Sequence, residues 1–250
     1  MERQDEAWVL STCDLGETDR IVNLFTADEG LVRGVARSAR KSRRRFGGAL
    51  EPLTRVRARW QARGRDLERI DACEPLESFA ECLGRPETQA LGAVLIEILE
   101  RTVHPGQPEP DLYRLVGAVL RAVADGLDPW LARRYFEYWT LRVLGSFDEE
   151  GRCGVCARTL PERARVEADG RLACDGCATD DATRWSPSAA ALLYRFATSA
   201  PADLDPADAA LARSLELDRR PGGAIRATLE GPLRSERHFR AATAAGGNRA

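Results

Sequence analysis

The chain is short of the residues that most often carry chemistry. It has two histidines, one methionine and, among 37 basic residues, a single lysine, Lys41. His104 precedes a proline and His238 lies near the end, and neither has a catalytic partner legible in the sequence. No nucleophile elbow and no dinucleotide-binding glycine motif occurs. A P-loop is excluded because Lys41-Ser42 follows Ala39-Arg40 rather than the required glycine. Long apolar runs are absent too, so no segment is expected to span a membrane. The opening "MERQDEAWVL" lacks the apolar core of a signal peptide, and a cytoplasmic location is expected.

Cysteine is scarce, seven in 250 residues, and an odd number argues against a disulfide framework. Cys13, Cys73 and Cys82 are scattered and read as small buried hydrophobes. The other four are grouped. Cys153-x2-Cys156 is followed, seventeen residues later, by Cys174-x2-Cys177. Each pair can present two thiolates to one metal, and Asp169-Gly170 suits the turn of a hairpin between them. Two such knuckles place four sulfurs at the corners of a tetrahedron, the spacing of a structural zinc site. Redox chemistry at a CxxC is the rival reading. Four thiolates leave no open position for catalysis by the metal.

What is abundant is arginine, and it is unevenly placed. Between Arg33 and Arg69 there are 13 basic residues and three acids, a local charge of +10 in a chain whose formal net charge is −2. The remainder therefore carries −12, which predicts one basic face on an otherwise acidic protein. The centre of the basic region is "ARSARKSRRRFGG" at 36–48, with six cations and no carboxylate.

The first eighty residues read as short strands over 7–11, 20–26, 31–37, 50–61 and 67–72, punctuated by glycines. Five strands in so short a span suggest a small closed barrel. Alternation over 53–60 turns Leu53, Arg55, Arg57 and Arg59 outward and Thr54, Val56, Ala58 and Trp60 inward. From about Pro86 the apolar period becomes helical, with Leu91, Val94, Leu95, Ile98 and Leu99 on one stripe. A second amphipathic helix follows "HPGQPEPD" at 104–111, and a third starts at Asp128-Pro129 and ends at Gly145. The third is apolar nearly all round, so it is expected to be central. Ser186-Pro187 and Asp205-Pro206 repeat the cap-then-proline start, a short last helix is expected over 223–230, and 241–250 reads as a flexible tail.

Arg33, Arg37, Arg40, Lys41, Arg43, Arg44, Arg45, Arg55, Arg57 and Arg59 are the candidate nucleic-acid contacts, because guanidinium forks match phosphate oxygens. An acidic protein partner, a membrane surface or a merely solvated loop are the alternatives. Trp8, Phe25, Phe46 and Trp60 read first as core residues and second as candidates for base stacking, with Phe46 the best placed for exposure. Asp148, Glu149 and Glu150 precede the first knuckle and read as a solvated helix exit.

The segment from Trp8 to Pro52 resembles the opening of the bacterial recombination-mediator family RecO. The resemblance rests on Val9-Leu10, Glu17-Thr18, Leu24-Phe25-Thr26 with Glu29-Gly30, Ala36-Arg37-Ser38-Ala39-Arg40, and Leu50-Glu51-Pro52. The closing "LRSERHF" at 233–239 is similar to the family's last segment, and Ser38 stands where the family usually has glycine. The resemblance implies an α+β multidomain protein: an N-terminal OB-fold β-barrel at 1–80 and an α-helical domain at 81–240 with an inserted four-cysteine zinc element at 150–180. It implies binding of single- and double-stranded DNA, annealing of complementary strands, help in loading recombinase, and no enzymatic turnover. The implied partners are RecR, the acidic tail of single-stranded DNA-binding protein and, indirectly, RecA, at the nucleoid. An acidic tail ending in an aromatic residue suits an apolar groove with a cationic rim. Arg133, Arg134 and Arg142, beside Trp130, Tyr135 and Trp139, are the candidates for that rim.

Two other functions fit parts of the sequence. A zinc enzyme acting on nucleic acid, such as a deaminase, would need a histidine or glutamate completing an open metal site. A sequence-specific regulator would read DNA through the zinc module, using Arg152, Arg158, Arg163, Arg165 and Arg171, which Glu162, Glu167, Asp169 and Asp175 largely offset.

Overall fold

The computed structural model describes residues 1–62, 64, 67–147, 151–160 and 164–246, without the side chains of Arg43, Ala245 and Gly246. The chain divides into two compact units, Met1–Arg114 and Leu115–Ala250.

In the first unit the strands are β1 (Glu2–Leu15), β2 (Asp19–Thr26), β3 (Gly30–Ala36), β4 (Arg55–Gln61) and β5 (Glu68–Glu77). They close in the order β1-β2-β3-β5-β4, with β4 returning to β1. All ladders are antiparallel except β3–β5. This is the five-stranded OB arrangement expected above. The first strand is much longer than the five residues the sequence suggested, because it must serve both β2 and β4. A bulge between Val9 and Ser11 lets it turn from one partner to the other. At the parallel seam β3 and β5 lie so close that a Cβ on Gly34 would fall 2.7 Å from the Glu68 carbonyl oxygen and 2.6 Å from Ile70 Cδ1. Only glycine fits there.

A four-residue helix, α1 (Arg43–Phe46), follows β3 and plugs the barrel. Phe46, Ala49 and Leu50 join Val9, Val22, Leu24, Val32, Val56, Trp60 and Ile70 in one core. Phe46, the best candidate for exposure among the four aromatics, is buried, and Trp8, Phe25 and Trp60 are buried as well, as the core reading of all four expects. None of the four aromatics is free to stack on a base. The alternation of β4 is as expected for Val56, Ala58 and Trp60, which point in, and for Arg57 and Arg59, which point out. Leu53 departs from it. The residue lies before the strand with φ +59°, and its side chain is buried. Its amide donates to Val9 O at 2.7 Å, which draws the turn onto β1. Helix α2 (Pro86–Thr102) lies on this unit, where the Ser11 hydroxyl on β1 donates to Glu100 Oε1 at 2.5 Å.

The boundary of the units falls within α3 (Pro110–Ala124). In the second unit α4 (Pro129–Val143) is the central helix, as its all-round apolar pattern predicts. Asp128 caps it, accepting from the Trp130 and Leu131 amides. It packs against α5 (Pro187–Thr198), α6 (Ala209–Ala212) and α7 (Leu215–Thr228). The last helix is α8 (Glu236–Gly246). Helix α7 is longer than the expected 223–230 segment because Pro221 is tolerated inside it. Ala241–Gly246, read as tail, continue α8, and 247–250 lie outside the described residues. Three two-residue strands, β6 (Arg165–Val166), β7 (Leu172–Ala173) and β8 (Thr183–Arg184), form a small sheet around the cysteines.

Of the three scattered cysteines, Cys73 is buried, Cys82 half-buried and Cys13 exposed. Cys13 sits on the outer face of β1, opposite Ile21. Among the described residues no helix is long and apolar enough to cross a membrane.

Candidate nucleic-acid interface and metal centre

The basic run leaves β3 at Ala36 and forms a tight turn held at several points. Lys41 N and Ser42 N both donate to Ser38 O, at 3.1 and 3.0 Å. Arg40 N donates to Thr18 O at 3.1 Å, and Ser38 N donates to Asp19 Oδ1 at 2.8 Å. The tip of the β1–β2 hairpin thus grips the turn. Ser38 takes φ +55°, a left-handed conformation that glycine adopts at least cost. The Asp19 carboxyl is held below its usual range by the Ser38 N–H first and the Thr18 hydroxyl second, with Arg37 adding to the effect. Asp19 and Asp14 are neighbours of the turn that sequence reasoning passed over, and Thr18 entered it only through the resemblance; the signal available was a polar hairpin turn.

The candidate cations do not all stand alike. Arg33, Arg37, Lys41, Arg44 and Arg57 make no ion pair among the described residues, and Arg33, Arg37, Lys41, Arg44 and Arg57 are exposed. Arg40 reaches Asp14 at 3.6 Å and stays exposed. Arg45 is committed to the turn: Nη2 donates to Arg37 O at 2.8 Å, Nε to Ser42 Oγ at 3.1 Å, and the guanidinium lies 5.1 Å from the Phe46 ring centroid. The Arg43 side chain lies outside the described residues. On β4, Arg55 is bracketed by Glu6 at 3.3 Å and Glu77 at 3.4 Å, and Arg59 sits 3.9 Å from Glu74. These carboxylates come from β1 and β5, the strands on either side. The β4 stripe is thus largely compensated, and the uncompensated charge concentrates on the turn after β3.

Pairs of cysteines converge as the spacing predicted. The sulfurs of Cys153, Cys156, Cys174 and Cys177 all lie within 4.8 Å of one another, and Cys156 and Cys174 are 3.9 Å apart. Tetrahedral ligands on bonds of about 2.3 Å are about 3.8 Å apart, so the set fits one metal ion. The knuckles are built from backbone: Ala157 N donates to Cys153 O at 2.8 Å, and Cys177 N and Ala178 N to Cys174 O at 2.9 Å. Amides of Cys156, Cys174 and Val155 hold the Cys153 thiol down to about 6, ready as a thiolate. Cys177 is pushed up to about 12 by hydrogen bonds with the Cys174 and Cys156 thiols. Among the described residues no histidine or carboxylate joins the cluster. The hairpin tip docks on α7, where a Cβ on Gly223 would come 2.3 Å from the Ala168 carbonyl oxygen. Arg220 Nη1 donates to Gly170 O at 2.6 Å.

Two arginines of this element are taken up by neighbouring carboxylates. Arg165 pairs with Asp175 at 3.2 Å and Arg171 with Asp169 at 2.6 Å. Glu162 and Arg163 lie outside the described residues, as do Asp148, Glu149 and Glu150.

The cationic rim expected on α4 is corrected by the structure. Arg133 and Arg134 are 0% exposed. Arg133 Nε donates to Glu137 Oε1 at 2.8 Å, Arg134 Nη1 to Glu137 Oε2 at 2.7 Å, and Arg134 Nη2 to Asp218 Oδ1 at 2.7 Å. Glu236 of the closing segment lies 3.3 Å from Arg133, and Phe239 packs on Trp130 with centroids 4.8 Å apart. These two arginines hold the helices together rather than a ligand. Arg142 alone of the three is exposed, lying 5.8 and 5.4 Å from the Tyr138 and Trp139 ring centroids.

Sequence comparison agrees with both halves of this arrangement. The family model described as "Recombination protein O N terminal" matches residues 1–79, and "Recombination protein O C terminal" matches residues 84–237. The DNA repair protein RecO of Koribacter versatilis is 41% identical over 166 residues, 66% of this chain and 67% of that protein. That of Geobacter metallireducens is 35% identical over 192 residues, 76% of this chain and 78% of that protein. That of an Anaeromyxobacter species is 38% identical over 173 residues, 68% of each. The chain belongs to the recombination protein O family.

Proposed function

We propose that this RecO-family chain is a DNA repair protein that binds single- and double-stranded DNA through the turn after β3 and anneals complementary strands without enzymatic turnover. The observation that carries the reading is the concentration of exposed cations that make no ion pair among the described residues, Arg37, Lys41 and Arg44, at one end of a closed barrel. Contacts to phosphate are blind to sequence, as repair demands. Two strands repel each other, and a surface that neutralises phosphates on both lowers that repulsion. In this reading residues 1–80 are the DNA-binding domain and 81–240 the domain for protein partners.

The partners proposed are those of the family: RecR, the acidic tail of single-stranded DNA-binding protein and, through loading of recombinase, RecA. With Arg133 and Arg134 buried, the tail is better suited by another groove on the same unit. It has a volume of about 330 Å³ and an apolar lining of Tyr138, Phe147, Trp185, Leu193 and Tyr194, with the exposed Arg142 one turn along α4 from Tyr138. Zinc is the metal proposed for Cys153, Cys156, Cys174 and Cys177, which would hold it as a closed structural ion that cross-links the two knuckles.

The test is a salt titration of binding to two unrelated single-stranded oligonucleotides. Replacing Arg37, Lys41 and Arg44 together with alanine removes three phosphate contacts. Each loss flattens the dependence of log affinity on log salt by about 0.7, so the slope is expected to fall by about two. Binding and annealing should fall together and equally for both sequences. An unchanged slope would leave the turn as a solvated loop and overturn the reading.

A further inference from the structure

Five cations in nine residues, Arg37 to Arg45 with the Arg43 side chain left aside, repel one another, and the run from 36 to 48 contains no carboxylate to hold it. The holding groups come from elsewhere. Asp19 begins β2, and the β2–β3 ladder ends one step inside it at Arg20 opposite Ala36. That register brings the Asp19 carboxylate to the Ser38 amide, 2.8 Å from donor to acceptor. The Thr18 hydroxyl donates to the same oxygen at 2.9 Å, while Thr18 O accepts from Arg40 N at 3.1 Å. Ser38 sits at the one left-handed backbone position of the turn, where the conformation is least favoured and an anchor has most to do.

We propose that Asp19 is a positioning residue for DNA binding: its carboxylate anchors the turn through the Ser38 amide, and so sets the cations at 37–41 where they meet phosphates together. The inference rests on the reading of the turn as the phosphate-binding surface. It makes a prediction opposite in sign to simple electrostatics. A carboxylate beside a phosphate-binding surface repels DNA, so removing it would ordinarily tighten binding. If the carboxylate positions the turn, removing its acceptor weakens binding in spite of the gain in net positive charge.

Asp19→Asn and Asp19→Ala in the full chain separate the two. The amide of Asn keeps a carbonyl acceptor for Ser38 N–H and removes the charge, so binding equal to or tighter than the parent is expected. Alanine removes the anchor, and a loss of roughly 3- to 10-fold is expected, the worth of one hydrogen bond, with the salt slope flattened by about 0.7 as one contact drops out of register. Thr18→Val keeps the charge and removes only the hydroxyl that orients it, and a smaller loss is expected. Amide hydrogen exchange at Ser38 reads the anchor without DNA: it should quicken in the alanine variant and not in the asparagine variant, even if the alanine variant melts earlier. Alanine and asparagine variants that bind equally tightly would overturn the inference and make Asp19 a mere charge. The Arg37, Lys41 and Arg44 variant run alongside tells the failures apart. If it flattens the slope while Asp19→Ala does not, the positioning role falls and the DNA reading stands; if neither does, the DNA reading itself has failed.

Discussion

Ser38 is one of four described non-glycine residues, with Leu53, Ala157 and Glu230, at which sequence and backbone disagree. A side chain with φ +55° meets its own carbonyl, at a cost of about 1–2 kcal/mol relative to ordinary backbone. Glycine escapes that cost but loses more freedom on folding, by about 0.5–1 kcal/mol. Ser38→Gly is therefore expected to stabilise the protein by about 0.5–1 kcal/mol, seen as a melting temperature about 1–3 °C higher. The Asp19 anchor does not involve the Ser38 side chain, so DNA affinity should be retained. A lower melting temperature would mean that the left-handed turn is unstrained. Resemblance to the family picked out this position from the sequence; the reason for it, a left-handed turn facing a carboxylate, is tertiary.

At the scale of elements, the four-cysteine unit is a small sheet of two-residue strands with little core of its own: Cys153, Ala173 and Cys174 buried, with Leu160 and Ala178 against them. A core so small gives little order by itself, and a metal held by the four thiolates would supply the missing free energy. One equivalent of zinc per chain is expected by metal analysis. Cys174→Ser, or a strong chelator, should lower the melting temperature of the protein while leaving the phosphate contacts of the turn after β3 intact. Less than half an equivalent of zinc, with unchanged melting in chelator, would falsify the structural role. The knuckles were legible because a CxxC spacing is a local property of the backbone. The docking of the hairpin on α7 through Gly223 was not, since nothing near residue 170 in the chain signals what residue 223 will do.

For the molecule as a whole, the buried charges of α4, α7 and α8 decide how it meets acid. Burial pushes the Glu137 carboxyl up, but Arg134 and Arg133 beside it outweigh burial and hold it below the usual range. Asp218 behaves the same way, raised by burial and brought down further by Arg134, Arg226 and Arg240. Carboxyls with depressed folded values add stability that is complete above the unfolded range, about 4, and is lost as pH falls through the folded values. Asp5 in the barrel runs the other way: burial raises it, so it gives up stability as pH rises past the unfolded range. With two strongly paired carboxyls against one, denaturant midpoints are expected to change little between pH 7 and about 5 and to fall below about 4. Glu137→Gln leaves two buried guanidiniums short of a partner and is expected to cost about 3–5 kcal/mol, measured by urea unfolding at pH 7. A midpoint that held steady to pH 3 would show the network contributes no net stability.

What the sequence determined by itself is what depends on period and spacing. Alternation put Val56, Ala58 and Trp60 inside and Arg57 and Arg59 outside; Asp128 and Ser186 marked helix starts; two CxxC pairs converged. Each follows from backbone geometry over a few residues. Only the tertiary structure decided which charges are free. Strand order places β4 between β1 and β5, so Glu6 and Glu77 bracket Arg55 from positions 49 and 22 residues away. Helix packing buries Arg133 and Arg134 against Asp218 and Glu236, and the β2–β3 register sets Asp19 against Ser38. Phe46, directly before Gly47-Gly48 at the end of a basic run, stays a candidate for exposure until the barrel end it fills is known. A charge run announces its sign along the chain, but its partners are chosen by topology, and the partners determine whether the charge remains to meet DNA.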